Sequence, residues 1–113
     1  MTDKRIVLVT CSSEEEASRI ARAVVTAHLA ACVNILESPV RSIYRWKGRV
    51  ETAMEHLLVI KTRRARLAAL EAAIKRLHSY QTPEIIALPI AEGSRKYLAW
   101  LDECLRPASP RRK

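Results

Sequence analysis

Ile6-Val7-Leu8-Val9 is a short, continuous, mainly β-branched apolar run, the pattern of a strand buried on both faces. Beyond it, Ala17, Ile20, Ala21, Val24 and His28 recur at helical spacing, with Arg19 and Arg22 turned outward. Ser12 and Ser13 precede Glu15 and Glu16, so either serine can open a capping box, and the acids suit a helix N-terminus. The helix is expected to end near His28. Cys32-Val33-Asn34-Ile35-Leu36 then opens a second strand, and Pro39 interrupts it, which implies an edge position or a bulge.

From Val40 the period is two. Val40, Ser42, Tyr44 and Trp46 share one face, and Arg41, Ile43, Arg45 and Lys47 share the other. Lys47-Gly48 is a hairpin turn, and a third strand runs from about Val50 to Thr62 with Leu57-Leu58-Val59-Ile60 as its buried stretch. Both strands exceed the usual length of about 5–6 residues. They should therefore project past the sheet and leave edges that another subunit must cover. Leu67, Leu70, Ile74 and Leu77 mark one face of a second helix, and Ile85–Ile90 a fourth strand. A last helix starts at Gly93-Ser94 and turns Tyr97, Leu98, Leu101, Cys104 and Leu105 inward. The order is α+β: a ferredoxin-like βαββαβ arrangement with an antiparallel sheet, both helices on one face and an extra C-terminal helix.

With 113 residues, the chain is expected to form a single domain over residues 1–106, followed by a flexible basic tail over 107–113. The short apolar N-terminal run does not read as a signal peptide and no run is long enough to cross a bilayer, so a cytoplasmic location without membrane attachment is expected. Cys11, Cys32 and Cys104 are widely spaced and form no CxxC pair, which argues for free, structural thiols rather than a zinc site. The net charge of +8 raises the question of nucleic acid, but part of it lies in Arg111, Arg112 and Lys113, and much of the rest reads as solvated faces. RNA-recognition domains of this topology stack bases on aromatics of the two central strands. Here those strands carry none, so no nucleic-acid partner is expected. The three Tyr and two Trp, with no Phe, fall instead in short clusters at Tyr44/Trp46, Tyr80 and Tyr97/Trp100, residue types that suit interfaces and clefts.

Several of these segments together carry a resemblance. Leu29-Ala30-Ala31-Cys32-Val33-Asn34, Ser42-Ile43-Tyr44-x-Trp46-Lys47-Gly48, Glu55-x-Leu57, Ile60-Lys61-Thr62, His78-x-Tyr80-x-x-Pro83-Glu84-Ile85, Leu88-Pro89-Ile90 and Tyr97-Leu98-x-Trp100-Leu101 occur in order over roughly residues 5–105. The chain thus resembles the CutA divalent-cation-tolerance proteins. The resemblance implies a ferredoxin-like homotrimer in which the long strands pair across subunits. It also implies a link to divalent metals and copper, and an architecture similar to the PII signalling trimers, which hold small ligands between subunits. It implies no enzymatic reaction, and no nucleophile–base set or cofactor loop is visible in the residues.

Bacterial relatives place a copper-binding Cys near the end of the first strand and a His pair before the Tyr-x-x-Pro-Glu motif. Here Val9 stands at that Cys position, with Cys11 two residues on; Leu77 stands for the first His and His78 matches the second. Cys11 and His78 are accordingly the candidate ligands for Cu(2+) or another divalent metal ion, which folding should not require, since soft thiolate and imidazole donors suit copper. Cys32 and Cys104 read as packing, His56 as local, and His28 as solvent-facing or a helix C-cap. A second candidate site comprises Tyr44, Trp46, Lys61, Tyr80 and Glu84, which could line an intersubunit ligand cleft, with Lys61 meeting an anion and Glu84 orienting His78 or Lys61. Three classes follow: a trimeric metal-responsive CutA-type binding protein, a PII-like ligand-binding signalling scaffold linked to metal indirectly, and an enzyme using His78 and Glu84, the least supported.

Overall fold

A computed structural model describes residues 2–107. The elements are β1 (Lys4–Cys11), α1 (Glu14–Thr26), β2 (Cys32–Ile35), β3 (Val40–Trp46), β4 (Arg49–Arg63), α2 (Leu67–Leu77), β5 (Ile85–Pro89) and α3 (Arg95–Leu105), with a 3₁₀ turn at Arg64–Arg66 between β4 and α2. The strand order is β2-β4-β1-β5, every pairing antiparallel, with β3 also paired to β4. This is the expected α+β ferredoxin-like plan. Residues 108–113 of the expected basic tail lie outside the described residues.

Alternation along the strands divides the sheet into two faces. Val7, Val9 and Cys11 of β1 stand opposite Ile60, Leu58 and His56 of β4. With Ile20 and Val24 of α1 and Leu70 and Ile74 of α2, these valines, Cys11, Leu58 and Ile60 form the main core. Each large side chain fully buried there contributes roughly 1.5–3 kcal/mol. The other face carries Lys4, Ile6 and Leu8 against Arg63, Lys61 and Val59, and Ile86 and Leu88 from β5. One end of it is covered by α3, where Asp102 accepts ion pairs from Lys4 (3.2 Å) and Arg63 (3.1 Å) and Leu101 and Leu105 are buried with Ala31. The remainder is open, leaving Ile86 and Leu88 exposed.

The 15-residue β4 explains the shape. Its second half is central, between β1 and β2, while Arg49–Glu55 pairs only with β3. The hairpin therefore projects, and the radius of gyration is 15.3 Å against about 13 Å for a compact chain of this length. Lys47 and Gly48 both have positive φ, 52° and 80°, the twist that a two-residue hairpin loop requires. The expected interruption at Pro39 is present: Ile35 faces Leu58 and Val40 faces Glu55, so the chain bulges between β2 and β3. Pro cannot donate to the ladder there. One expectation is corrected. α1 ends at Thr26, near the expected end, and His28 takes φ 61° and donates its N–H to the Val25 carbonyl (3.1 Å), but its ring turns Nδ1 to the Cys104 carbonyl (3.1 Å), tying the end of α1 to α3 rather than facing solvent or capping α1 as a cation.

Candidate metal and ligand site

Three elements converge at the C-terminal end of β1. α1 starts beside it because Ser13 is a true N-cap, its Oγ accepting the Glu16 N–H at 3.1 Å. This places the Glu16 side chain one turn into the helix, pointing back at the strand end. α2 stops at Leu77, and His78 leaves it in extended conformation with its N–H still donating to the Ile74 carbonyl. Its ring enters the core: Nε2 lies 2.8 Å from the Thr10 carbonyl, and Nδ1 lies 3.1 Å from the Tyr80 N–H. A carbonyl can only accept and an N–H can only donate, so Nε2 carries the hydrogen and the Nδ1 lone pair accepts the Tyr80 N–H.

Cys11, Glu16 and His78 each present a ligand atom, all within 4.8 Å of one another, and all three residues are buried. The Glu16 carboxylate stands 3.7 Å from His78 Nδ1. It also accepts from the Ser12 N–H (3.2 Å) and hydroxyl (2.9 Å), from the Ser79 hydroxyl (3.1 Å) and from the Ser79 N–H. Burial pushes its pKa up, but the hydrogen bonds from Ser79 and Ser12 outweigh that and hold it below the ordinary carboxylate value. Cys11 behaves oppositely. Burial first, then the charges of Glu16 and Glu55, push its thiol up to about 12. Making the thiolate at pH 7 then costs on the order of 7 kcal/mol, which a coordinating ion must supply.

The donor set, one thiol, one imidazole and one carboxylate, fits a soft or borderline ion such as copper or zinc rather than calcium or magnesium, which prefer all-oxygen shells. Hydrogen bonds hold the Glu16 and His78 donors in place. An ion held at His78 Nδ1 would take the place of the Tyr80 N–H that this nitrogen accepts.

The second cluster lies on the other side of the strand end. Tyr44 and Trp46 of β3, Glu55 of β4 and Tyr80 and Glu84 of the loop after α2 line a cleft of about 680 Å³. Glu55, 7% exposed, accepts from the Tyr80 hydroxyl at 2.8 Å. Burial and then that hydrogen bond raise the Tyr80 pKa, so it stays a neutral donor. The Tyr80 ring also packs on His78, centroids 4.8 Å apart, which joins the two clusters.

Of the ligand residues expected from sequence, Tyr44, Trp46, Tyr80 and Glu84 thus come together and Lys61 stands apart. Lys61 is across the ladder from Ile6 and Cys32, and its Nζ meets the Asn34 carboxamide oxygen and, at 3.8 Å, Cys32 Sγ. Glu84 is exposed; the carboxylate beside His78 is that of Glu16, and Lys61 pairs with Asn34, so neither takes its orientation from Glu84. Glu16 and Glu55 are the residues that sequence reasoning missed. Glu16 was visible as a helix N-terminal acid and a capping-box partner, but not as a ligand, although a Glu three residues after an N-cap is placed to reach back. Glu55 falls in the Glu55-x-Leu57 segment, but nothing local marks it as buried.

The fold and these sites define a small ferredoxin-like protein with a buried Cys–Glu–His cluster under an aromatic cleft. The sequence pattern of the family described as CutA1 divalent ion tolerance protein matches residues 5–104, and the chain belongs to this family. It is 51% identical over 100 residues to the divalent-cation tolerance protein CutA of Thermus thermophilus, covering 88% of this chain and 96% of that protein. A chloroplastic protein, CutA 1 of rice, is 46% identical over 101 residues, but this chain spans only 56% of its length. Among solved structures, the periplasmic divalent cation tolerance protein CutA of Archaeoglobus fulgidus superposes with a TM-score of 0.88 at 40% identity, covering 91% of this chain and 99% of that one. CutA1 of Oryza sativa gives 0.88 at 44% identity, covering 93% and 95%. No helix among the described residues is long and apolar enough to cross a membrane.

Proposed function

We propose that this protein is a homotrimeric, metal-responsive binding protein that takes a divalent ion, copper or a close relative of it, at Cys11 and His78 with Glu16 as third donor. The convergence of these three ligand atoms within 4.8 Å carries the reading. The names of its relatives, divalent-cation tolerance proteins, point the same way. Trimer formation is supported by what one chain leaves uncovered: Ile43 is 65%, Val50 67% and Met54 56% exposed on the projecting hairpin, and Ile86 and Leu88 lie bare on the open sheet face. Large apolar side chains left exposed on the hairpin and on the open sheet face suit interfaces.

We read the protein as a non-enzyme of the cytoplasm that binds neither nucleic acid nor membrane, organised as one domain over residues 1–106 with a basic tail over 107–113. In support, β1 and the central half of β4 carry no aromatic platform for bases. The test is titration of the intact protein with Cu(2+) and Zn(2+). Cys11→Ala and His78→Ala should each weaken binding at least tenfold, and unchanged affinity in both variants removes the site. Sedimentation at micromolar concentration tests assembly, for which a stable monomer is the contrary result.

The 680 Å³ aromatic cleft favours a second reading, a PII-like scaffold in which Tyr44, Trp46, Tyr80 and Glu84 hold a small ligand and any metal link is indirect. Metal affinity indifferent to Cys11 and His78, together with ligand binding sensitive to Tyr44→Ala, selects this reading over the first.

A further inference from the structure

The aromatic cleft carries an unbalanced charge. Glu55 is buried, yet among the described residues no Lys, Arg or His forms an ion pair with it. Its one hydrogen bond from a side chain is the Tyr80 hydroxyl, on Oε2. Buried carboxylates ordinarily have a cation or several N–H donors, as Glu16 does, because a desolvated charge is otherwise costly. Among the described residues of this chain no basic side chain lines the cleft, and a second carboxylate, Glu84, stands in its wall. The rest is apolar or neutral and includes the rings of Tyr44 and Trp46. Trp46 already attracts one cation, the Lys47 ammonium 5.9 Å from its ring centroid.

We propose that the cleft binds a small organic ammonium ion, a protonated or quaternary amine on an apolar body, with its charge against Glu55 and its body against Tyr44. The proposal rests on reading the cleft as a ligand site and adds the charge class of the ligand. An anion would face two carboxylates and, among the described residues, no counter-charge. A bare divalent ion would need several more oxygen ligands, and the aromatic walls cannot replace its water. An ammonium on an apolar body uses both features, the carboxylate as counter-ion and the ring faces as cation–π and dispersion partners.

Three probes of one shape and different charge test it: phenethylammonium, 2-phenylethanol and 3-phenylpropionate, each titrated calorimetrically into the intact protein. Phenethylammonium should bind at least about tenfold tighter than the neutral alcohol, and the carboxylate weakest, since a charge-assisted contact accounts for a factor of this size. Glu55→Gln should erase the preference for the cation, and Tyr44→Ala should weaken both cation and alcohol. If Glu55→Gln fails to fold, the ranking of the three probes on the wild-type protein decides alone. Preferential binding of 3-phenylpropionate, sensitive to Tyr44→Ala, would keep the ligand cleft and overturn the charge assignment. Equal affinities for all three overturn it as well. No binding of any probe removes the ligand cleft itself.

Discussion

Replacing Glu16 by Gln isolates the charge at the junction of α1, β1 and the loop after α2. Glu16 is 3% exposed. Its Oε1 accepts from the Ser12 N–H, the Ser12 hydroxyl and the Ser79 hydroxyl, and its Oε2 from the Ser79 N–H. Gln retains one acceptor oxygen at nearly the same volume. With that oxygen at the Oε1 position, the amide NH₂ faces the Ser79 N–H, donor against donor. One charge-assisted bond is lost, typically about 1.5–3 kcal/mol, and those that remain become neutral. A loss of about 2–4 kcal/mol at pH 7 follows. The pH dependence has a definite sign. The folded pKa of Glu16 lies below the ordinary carboxylate value of 4.5, so the carboxylate stabilises the fold fully above about 4.5 and loses that contribution as the pH falls through the folded pKa. Gln mimics the protonated side chain, so the gap between wild type and variant should be widest at pH 6–7 and narrow in acid. Urea unfolding at fixed protein concentration, repeated at several pH values, measures it. A cost below about 0.5 kcal/mol at pH 7, or a gap undiminished in acid, would refute the hydrogen-bond account of Glu16.

Tyr80→Phe removes the donor to Glu55 and should cost about 1–2 kcal/mol in the same assay; no change would mean that solvent already satisfies Glu55. Ile74→Ala, at a fully buried core position, should cost about 2–5 kcal/mol, and a smaller loss would imply a core that collapses into the space. Asp102→Asn weakens ion pairs from a half-exposed carboxylate to Arg63 and to the buried Lys4, whose ammonium keeps Asp3 as a partner, so its effect should stay below about 1 kcal/mol and shrink with salt. Val50→Asp together with Met54→Asp, both exposed on the projecting hairpin, should leave the single-chain fold intact and shift sedimentation toward smaller species; an unchanged coefficient would clear the hairpin of any role in assembly.

The elements were legible because their periods are clean. The Ile6–Val9 run, the helical spacings around Ile20 and Ile74 and the alternation from Val40 to Trp46 each correspond to an observed element. Even the break at Pro39 could be read, because a missing N–H is a local fact. What stayed hidden depends on contacts across the chain. Ser79 is 63 residues from Glu16, and only the meeting of the α1 N-terminus with the loop after α2 turns a helix-opening acid into part of a buried cluster. Within one chain Lys61 stands apart from the cleft, and Glu84 lines it without reaching His78 or Lys61, for the same kind of reason. Both fall in recognisable motifs, but register places Lys61 opposite Cys32 and Ile6, and the loop leaves Glu84 outward. His28 kept its helical spacing in sequence, yet the helix had already ended and its ring reached α3.

X-ray absorption at the zinc edge of the zinc-loaded protein addresses the metal site itself. Wild type should show one sulfur neighbour at about 2.3 Å together with nitrogen or oxygen neighbours at about 2.0–2.2 Å. Cys11→Ala should lose the sulfur, and Cys32→Ala and Cys104→Ala should keep it. A shell of oxygen and nitrogen alone in wild type, or a sulfur that survives Cys11→Ala, would contradict a metal centre at Cys11, Glu16 and His78.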